Sequence, residues 1–270
     1  MNVRAALTSA AARLAAASET PRLDAELLMA LVLGVEREAI LLDASDDPAP
    51  AGFEALVERR LAHEPIAYIT GRRAFWTIGL EVGPGALVPR PDSETLIEAA
   101  IAHFGAAGPK RILDLGTGPG TLLLAALDQW PQATGLGVDA SAEALAYARR
   151  NGHARAEFRP GDWGEGIGER FDLILCNPPY VEDAADLPRD VAAYEPALAL
   201  FAGTDGLAAY RALAPQLAGL LAPGGIACLE IGAGQENKVR ALMAAEGFTM
   251  ESRSDLNGIL RCLVLRADAE

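Results

Sequence analysis

The chain has 270 residues, 51% hydrophobic and 22% charged, with a formal net charge of -14. That length allows one large domain or two modest ones, and the acidic balance disfavours a free nucleic-acid binder, whose affinity rests on neutralising phosphate with basic side chains. Three dispersed cysteines (Cys176, Cys228 and Cys262) lack metal-type spacing, no apolar run reaches membrane-spanning length, and the first residues lack a signal-peptide layout, so a cytoplasmic protein with buried thiols is expected.

Residues 1–64 read as helices only. Thr20-Pro21 is an N-cap followed by proline at the first helical position, and Gly34 is a stop. Leu23, Leu27, Leu28 and Leu31 share one face between them. Phe53, Leu56, Val57 and Leu61 repeat at helical spacing opposite Glu54, Glu58, Arg59 and Arg60. Nothing in this bundle looks catalytic, and substrate recognition or packing is its expected role. Residues 75–78 and 80–82 flank Gly79 and predict a hairpin. Pro84, Gly85, Pro89 and Pro91 stiffen the connector behind it. The expected division is a helical domain at 1–74, a hairpin linker at 75–88 and an α/β domain at 89–270.

A helix is predicted at 93–104, and from Lys110 strands and helices alternate. Strands are expected at 111–114, 135–139, near 156–158, and at 171–176, 225–231, 248–252 and 259–265. Helices are expected at 120–130, 141–151, 205–221 and 235–246. Alternation of this kind implies a mostly parallel sheet covered on both faces. The last two strands are joined by a short loop, which cannot make a parallel crossover, so the last strand should run antiparallel.

Four constellations carry chemistry. Asp114-Leu115-Gly116-Thr117-Gly118-Pro119-Gly120 lies between a strand and a helix, where glycines let the backbone turn tightly and approach a ligand. No Lys-Ser/Thr follows, so it is not a phosphate P-loop, and the spacing is not G-x-G-x-x-G. Asp139 ends the next strand, about twenty residues on, where an acid can accept ribose hydroxyls. It could instead cap the following helix, a task Ser141 can also perform. Gly161-Asp162-Trp163 follows the third strand, where an acid and a ring can meet an adenine, although a tryptophan there is also a common packing residue. Asn177-Pro178-Pro179-Tyr180 follows the apolar run 171–176. The prolines fix φ and hold Asn177 extended. The tip offers an amide, carbonyls without competing N–H groups and a flat ring, which suit a planar substrate bearing an –NH₂.

With these residues in place, the chain resembles class I S-adenosylmethionine-dependent methyltransferases. Within them it resembles the family that methylates the glutamine amide of peptide chain release factors. The motifs that carry the resemblance are the Gly loop, Asp162-Trp163 and Asn177 to Tyr180. Glu64-Pro65-Ile66-Ala67-Tyr68-Ile69-Thr70-Gly71, Phe75-Trp76, Val88-Pro89-Arg90-Pro91-Asp92-Ser93-Glu94 and Tyr194-Glu195-Pro196 join them. Pro119 and Thr121 depart from the small or polar residues usual in that loop. The resemblance implies a Rossmann-like, seven-stranded, mostly parallel sheet with an antiparallel last strand, preceded by a small helical bundle and a β-hairpin linker. It implies S-adenosyl-L-methionine as cofactor, S-adenosyl-L-homocysteine as product and no metal. Gly116, Thr117, Gly118, Pro119 and Gly120 are the implied cofactor loop, with Asp139 at the ribose, Asp162 and Trp163 at the adenine, and Asn177 between cofactor and substrate. Asn177, Pro178, Pro179 and Tyr180 form the implied substrate pocket, with Asn177, Pro178 and Tyr180 catalytic. The expected partner is a release factor, with no direct nucleic acid, no membrane and a monomeric state. A glutamine methyltransferase acting on a large-subunit ribosomal protein remains open on the same motifs. So does an adenine amino-methyltransferase, which would need a basic track.

Overall fold

The computed structural model describes residues 1–42 and 46–267. The chain divides into two compact units: Met1–Arg72 with Leu187–Tyr194, and Arg73–Asp186 with Glu195–Glu270.

The first unit contains α1 (Val3–Leu14), α2 (Pro21–Leu33), α3 (Arg37–Leu42), α4 (Phe53–Leu61) and α5 (Ile66–Thr70). Helix α2 starts with proline at its first position and ends at Gly34, whose φ of 66° is the left-handed cap that favours glycine. The apolar faces of α1, α2 and α4 meet in a core around Leu7, Leu14, Leu28, Met29 and Val57. A buried ion pair crosses this core, with Arg60 Nε donating to Asp24 Oδ2 at 2.8 Å. Residues 187–194 were expected within the 89–270 domain; they belong instead to this unit. Their helix α6 (Arg189–Tyr194) has no buried residues and is held by polar contacts. Asp190 lies 3.7 Å from Arg60, and the Tyr194 hydroxyl donates to the Ala62 carbonyl at 3.1 Å.

The second unit opens with the hairpin β1 (Arg72–Phe75) and β2 (Ile78–Glu81). The hairpin turns at Trp76-Thr77, not at Gly79. Trp76 takes a left-handed φ of 54°, and its N–H donates to Glu94 Oε1 at 2.9 Å. A short 3-10 turn, Pro91–Ser93, leads into α7 (Glu94–Phe104).

The main sheet then builds from β3 (Arg111–Leu115), β4 (Thr134–Asp139), β5 (Ala156–Pro160), β6 (Phe171–Cys176), β7 (Leu221–Glu230), β8 (Phe248–Ser254) and β9 (Leu260–Ala267). Its order is β5-β4-β3-β6-β7-β9-β8. Strands β3 to β7 pair in parallel, and β9 enters antiparallel between β7 and β8, as the short loop required. Strand β6 is buried on both faces, which is why Leu173-Ile174-Leu175 reads as an unbroken apolar run. Burying each such side chain is worth roughly 1.5–3 kcal/mol.

Helices α8 (Thr121–Gln129), α9 (Ala142–Asn151), α11 (Ala208–Leu220) and α12 (Glu236–Ala245) connect the strands. The helix expected at 205–221 begins three residues later than predicted. A further single turn, α10 (Ala197–Leu200), was not predicted. Among the described residues no helix is long and apolar enough to cross a membrane.

Candidate functional site

Strands β3 and β6 are neighbours whose outgoing connections run to opposite sides of the sheet. A crevice beyond the carboxyl ends of the strands is expected at such a reversal. A cavity of ≈ 440 Å³ occupies this place in the second unit.

The Gly loop forms one wall. Gly116 and Gly118 take left-handed φ values of 71° and 57°, a conformation that costs glycine little. The N–H groups of Gly116 and Thr117 donate to the Val138 carbonyl at 2.9 and 3.0 Å, which ties the loop to β4. A Cβ at Gly116 would stand 3.3 Å from the Trp163 ring and 3.9 Å from the Asn177 carbonyl oxygen. Loop, ring and tip therefore converge around one point. Gly120 serves packing, since a Cβ there would press on Leu124 at 2.9 Å.

Two acids shape the loop. Asp139 Oδ2 accepts from the Gly118 N–H at 2.8 Å, and Oδ1 accepts from the Ser141 N–H at 2.7 Å. Each oxygen keeps a further acceptor direction for a ligand hydroxyl. Burial raises the Asp139 pKa against these two bonds. Ser141 caps α9 through its own side chain, accepting from the Ala144 N–H. Asp114 is 1% exposed. Its Oδ2 accepts from the Thr117 hydroxyl at 2.6 Å and from the Leu123 N–H at 3.1 Å, while its buried Oδ1 has no hydrogen-bond partner. Burial pushes its carboxyl up to about 7, opposed by those two bonds. An unpaired buried carboxylate oxygen on a cavity wall is a ready partner for a cationic ligand.

The tip forms the facing wall. Asn177 Nδ2 donates to Ser93 Oγ at 3.0 Å. The Tyr180 hydroxyl donates to Glu230 Oε1 at 3.2 Å, and its carbonyl accepts from Gln235 Nε2 at 3.0 Å. Burial raises the Tyr180 pKa, with Glu230 adding to it. At the rim, buried Glu195 accepts from the Val88 N–H at 3.1 Å and from Arg90 Nη2 at 2.5 Å.

Of the residues singled out in the sequence, Gly116, Thr117, Gly118 and Pro119 line the cavity with Asp139, Asp162 and Trp163. Asn177 and Pro179 line it from the other side. Gly120, Pro178 and Tyr180 do not reach the lining; Tyr180 packs against the main core and turns its hydroxyl toward Glu230. Asp114 and Ser93 were quoted only as members of longer motifs, with no role of their own, and Glu230 was not singled out. A lone acid in the apolar run of β3, and another in β7, was the available signal. Among the described residues no group of three or more His, Cys, Asp or Glu is placed to hold a metal ion.

Two family models match the chain: the PrmC N-terminal domain over residues 5–71 and the methyltransferase small domain over residues 93–193. A release factor glutamine methyltransferase of Rhodospirillum rubrum is 45% identical over 262 residues, covering 93% of this chain and 80% of the relative. One from Caulobacter vibrioides is 42% identical over 242 residues, covering 86% and 84%. The crystal structure of a ribosomal protein L11 methylase from Lactobacillus delbrueckii subsp. bulgaricus superposes with a TM-score of 0.52 at 20% identity. It covers 70% of this chain and 85% of that one, a likeness of fold. Identity at this level across the length of its relatives, on the sheet and cavity described above, places the chain in the release factor glutamine methyltransferase family.

Proposed function

We propose that the protein transfers a methyl group from S-adenosylmethionine to the side-chain amide nitrogen of a glutamine in a peptide chain release factor, the glutamine of its Gly-Gly-Gln motif. The observation that carries this reading is the convergence of Gly116, Trp163 and Asn177 on one cavity. In it a cofactor-type loop faces a tip able to receive an –NH₂.

The chemistry of the walls fits the cofactor. Gly116 to Pro119 would take its methionine part, and Asp139 the ribose hydroxyls. Trp163 would flank the adenine, with Asp162 beside it. The unpaired Asp114 oxygen suits the positive charge of such a ligand. When bound, S-adenosylmethionine supplies a sulfonium methyl that a nitrogen lone pair can take, leaving S-adenosylhomocysteine.

An amide nitrogen is a poor nucleophile because its lone pair is delocalised into the carbonyl. Asn177 Oδ1, on the cavity wall, would accept one N–H of the substrate amide, with Pro178 behind it fixing the backbone of the tip. That aims the nitrogen at the methyl and favours the positive charge it develops. Orientation of this kind can supply roughly 7–11 kcal/mol of barrier reduction in favourable cases. Tyr180 does not act as the base, since its phenol is held above its ordinary range. It braces the tip from behind, and the released proton passes to water.

Asn177→Ala tests the assignment. Methyl transfer from labelled cofactor to a purified release factor should be lost while calorimetry still detects cofactor binding, and mass spectrometry should place the wild-type product's methyl on the glutamine. Turnover of the variant near the wild-type rate would sink the role given to Asn177. A product formed only on a large-subunit ribosomal protein would reassign the substrate.

A further inference from the structure

The last residue of α9 fastens two separate segments of the cavity wall. Asn151 Oδ1 accepts from the Glu81 N–H at 2.7 Å, and its Nδ2 donates to the Glu81 carbonyl at 3.0 Å. The same Nδ2 donates to the Pro119 carbonyl, also at 3.0 Å. Glu81 ends β2, and Pro119 belongs to the Gly loop. Both hydrogens of the amide nitrogen are used in this way, and one N–H with two carbonyls around the amide fixes which way round it lies.

The bond to Pro119 fills a place that α8 leaves open. In a helix the N–H four residues on would serve that carbonyl. Here that N–H belongs to Leu123, and it donates to Asp114 Oδ2 instead. Pro119 is buried, and a buried carbonyl without a partner is costly. Asn151 supplies the missing donor. The front of the Gly loop is tied to β4 through Val138 and Asp139; Asn151 ties its end.

The same face of α9 carries the connector behind the hairpin. Glu143, Tyr147 and Asn151 stand four residues apart and share that face. The connector turns at Gly83-Pro84-Gly85-Ala86, closed by the Ala86 N–H donating to the Gly83 carbonyl at 3.1 Å. Proline in second place and a left-handed glycine in third, with φ of 89°, suit a type II turn. A Cβ at Gly83 would run into the Tyr147 hydroxyl, and one at Gly85 into the Glu143 carboxylate. The turn therefore lies directly on α9, and Gly85, Leu87 and Pro89 of the connector line the cavity, as Pro119 does.

We infer that Asn151 is a positioning residue for the cofactor: it clasps the end of the Gly loop to the connector, so that the cavity holds its width before a ligand arrives. The inference rests on the reading of the cavity as an S-adenosylmethionine site. The hairpin has other anchors, since Arg150 Nε lies 3.0 Å from Glu81 Oε2 and the Thr77 hydroxyl donates to Asp128 Oδ2 at 2.6 Å. Neither contact touches the Gly loop. Loss of the Asn151 amide should therefore free the loop more than the hairpin. A freed loop must be ordered when the ligand binds, and affinity falls by that cost.

The test measures binding of S-adenosylmethionine and S-adenosylhomocysteine to the full-length protein by calorimetry, at a temperature where melting curves show each variant folded. Asn151→Ala should weaken both ligands about tenfold, the scale of a lost hydrogen bond. Asn151→Asp keeps the shape and the bond from the Glu81 N–H but turns an oxygen toward two carbonyls, so it should bind at least as weakly. Arg150→Ala loosens the same hairpin without touching Pro119, and should lower the melting temperature while leaving affinity unchanged. In methyl transfer to a purified release factor, the Asn151 variants should raise the KM for cofactor and keep most of kcat at saturation. Wild-type affinity in either Asn151 variant, an equal loss in Arg150→Ala, or a fall in kcat with the cofactor KM unmoved would each overturn the inference. Failure of the wild type to bind either ligand would overturn the reading of the cavity on which it rests.

Discussion

Asp114→Asn probes the most heavily desolvated acid on the cavity wall. The wild-type carboxyl moves from 3.8 to about 7 on folding, chiefly through burial. The native state therefore binds this proton more tightly than the unfolded state does. The penalty is absent below the unfolded pKa, grows as pH rises, and is complete above about 7. Each pH unit of mismatch is worth about 1.4 kcal/mol. Between about pH 5 and about pH 8.5, ionising Asp114 should thus cost the wild type about 3 kcal/mol that the variant does not lose. The asparagine oxygen can keep the bonds from Thr117 and Leu123. Its nitrogen falls where Oδ1 has no partner, a roughly constant cost of about 1–3 kcal/mol at every pH. The absolute difference between the two proteins can take either sign, but its change with pH cannot. Urea unfolding of both at the two pH values measures that change, because all other titrations are shared. A difference that stays flat would refute the account of Asp114. Saturating S-adenosylmethionine should narrow the pH-dependent gap, since a cation beside Asp114 favours its ionised form.

Arg60→Ala should destabilise the protein by about 3–5 kcal/mol in denaturant melts, because it strands Asp24 as an unpaired buried charge. Pairing it with Asp24→Leu should recover much of that loss, and failure to do so would show that Arg60 matters through other contacts. Gly116→Ala should cost about 1 kcal/mol in stability for its left-handed backbone. Its larger effect should be on S-adenosylmethionine affinity, read by calorimetry, because the methyl projects toward Trp163 at 3.3 Å.

The alternation of apolar strands and amphipathic helices made the sheet legible, and a short loop sufficed to reverse its last strand. Elements fixed by distant partners were not legible. The glycine at 79 attracts a turn, yet the hairpin turns at Trp76, where the left-handed backbone is held by Glu94, 18 residues away. Residues 187–194 carry no apolar stripe, and their place is set by Arg60 and Ala62, far back in the chain. The same division runs through the site. The Gly loop, Asp139 and Asn177 stand at strand ends, where sequence order alone locates them. Ser93 reaches Asn177 across 84 residues, a contact that exists only once the chain has folded. Buried Asp114 and Glu230 interrupt apolar strands visibly, but how deeply each is desolvated depends on what packs above it.

The membership of Leu187–Tyr194 in the first unit has a temporal consequence. On the ribosome, Met1–Arg72 emerges with Asp24 already available to Arg60, so its helices can close early. The contacts from Asp190 and Tyr194 become available only after roughly 120 more residues have been made, about 6–24 s later at ~5–20 residues per second. A nascent chain halted in that interval carries a bundle lacking its final brace. A gene fragment cut cleanly after Arg72 would reproduce that unfinished state permanently, so it is a poor surrogate for the unit in the whole protein.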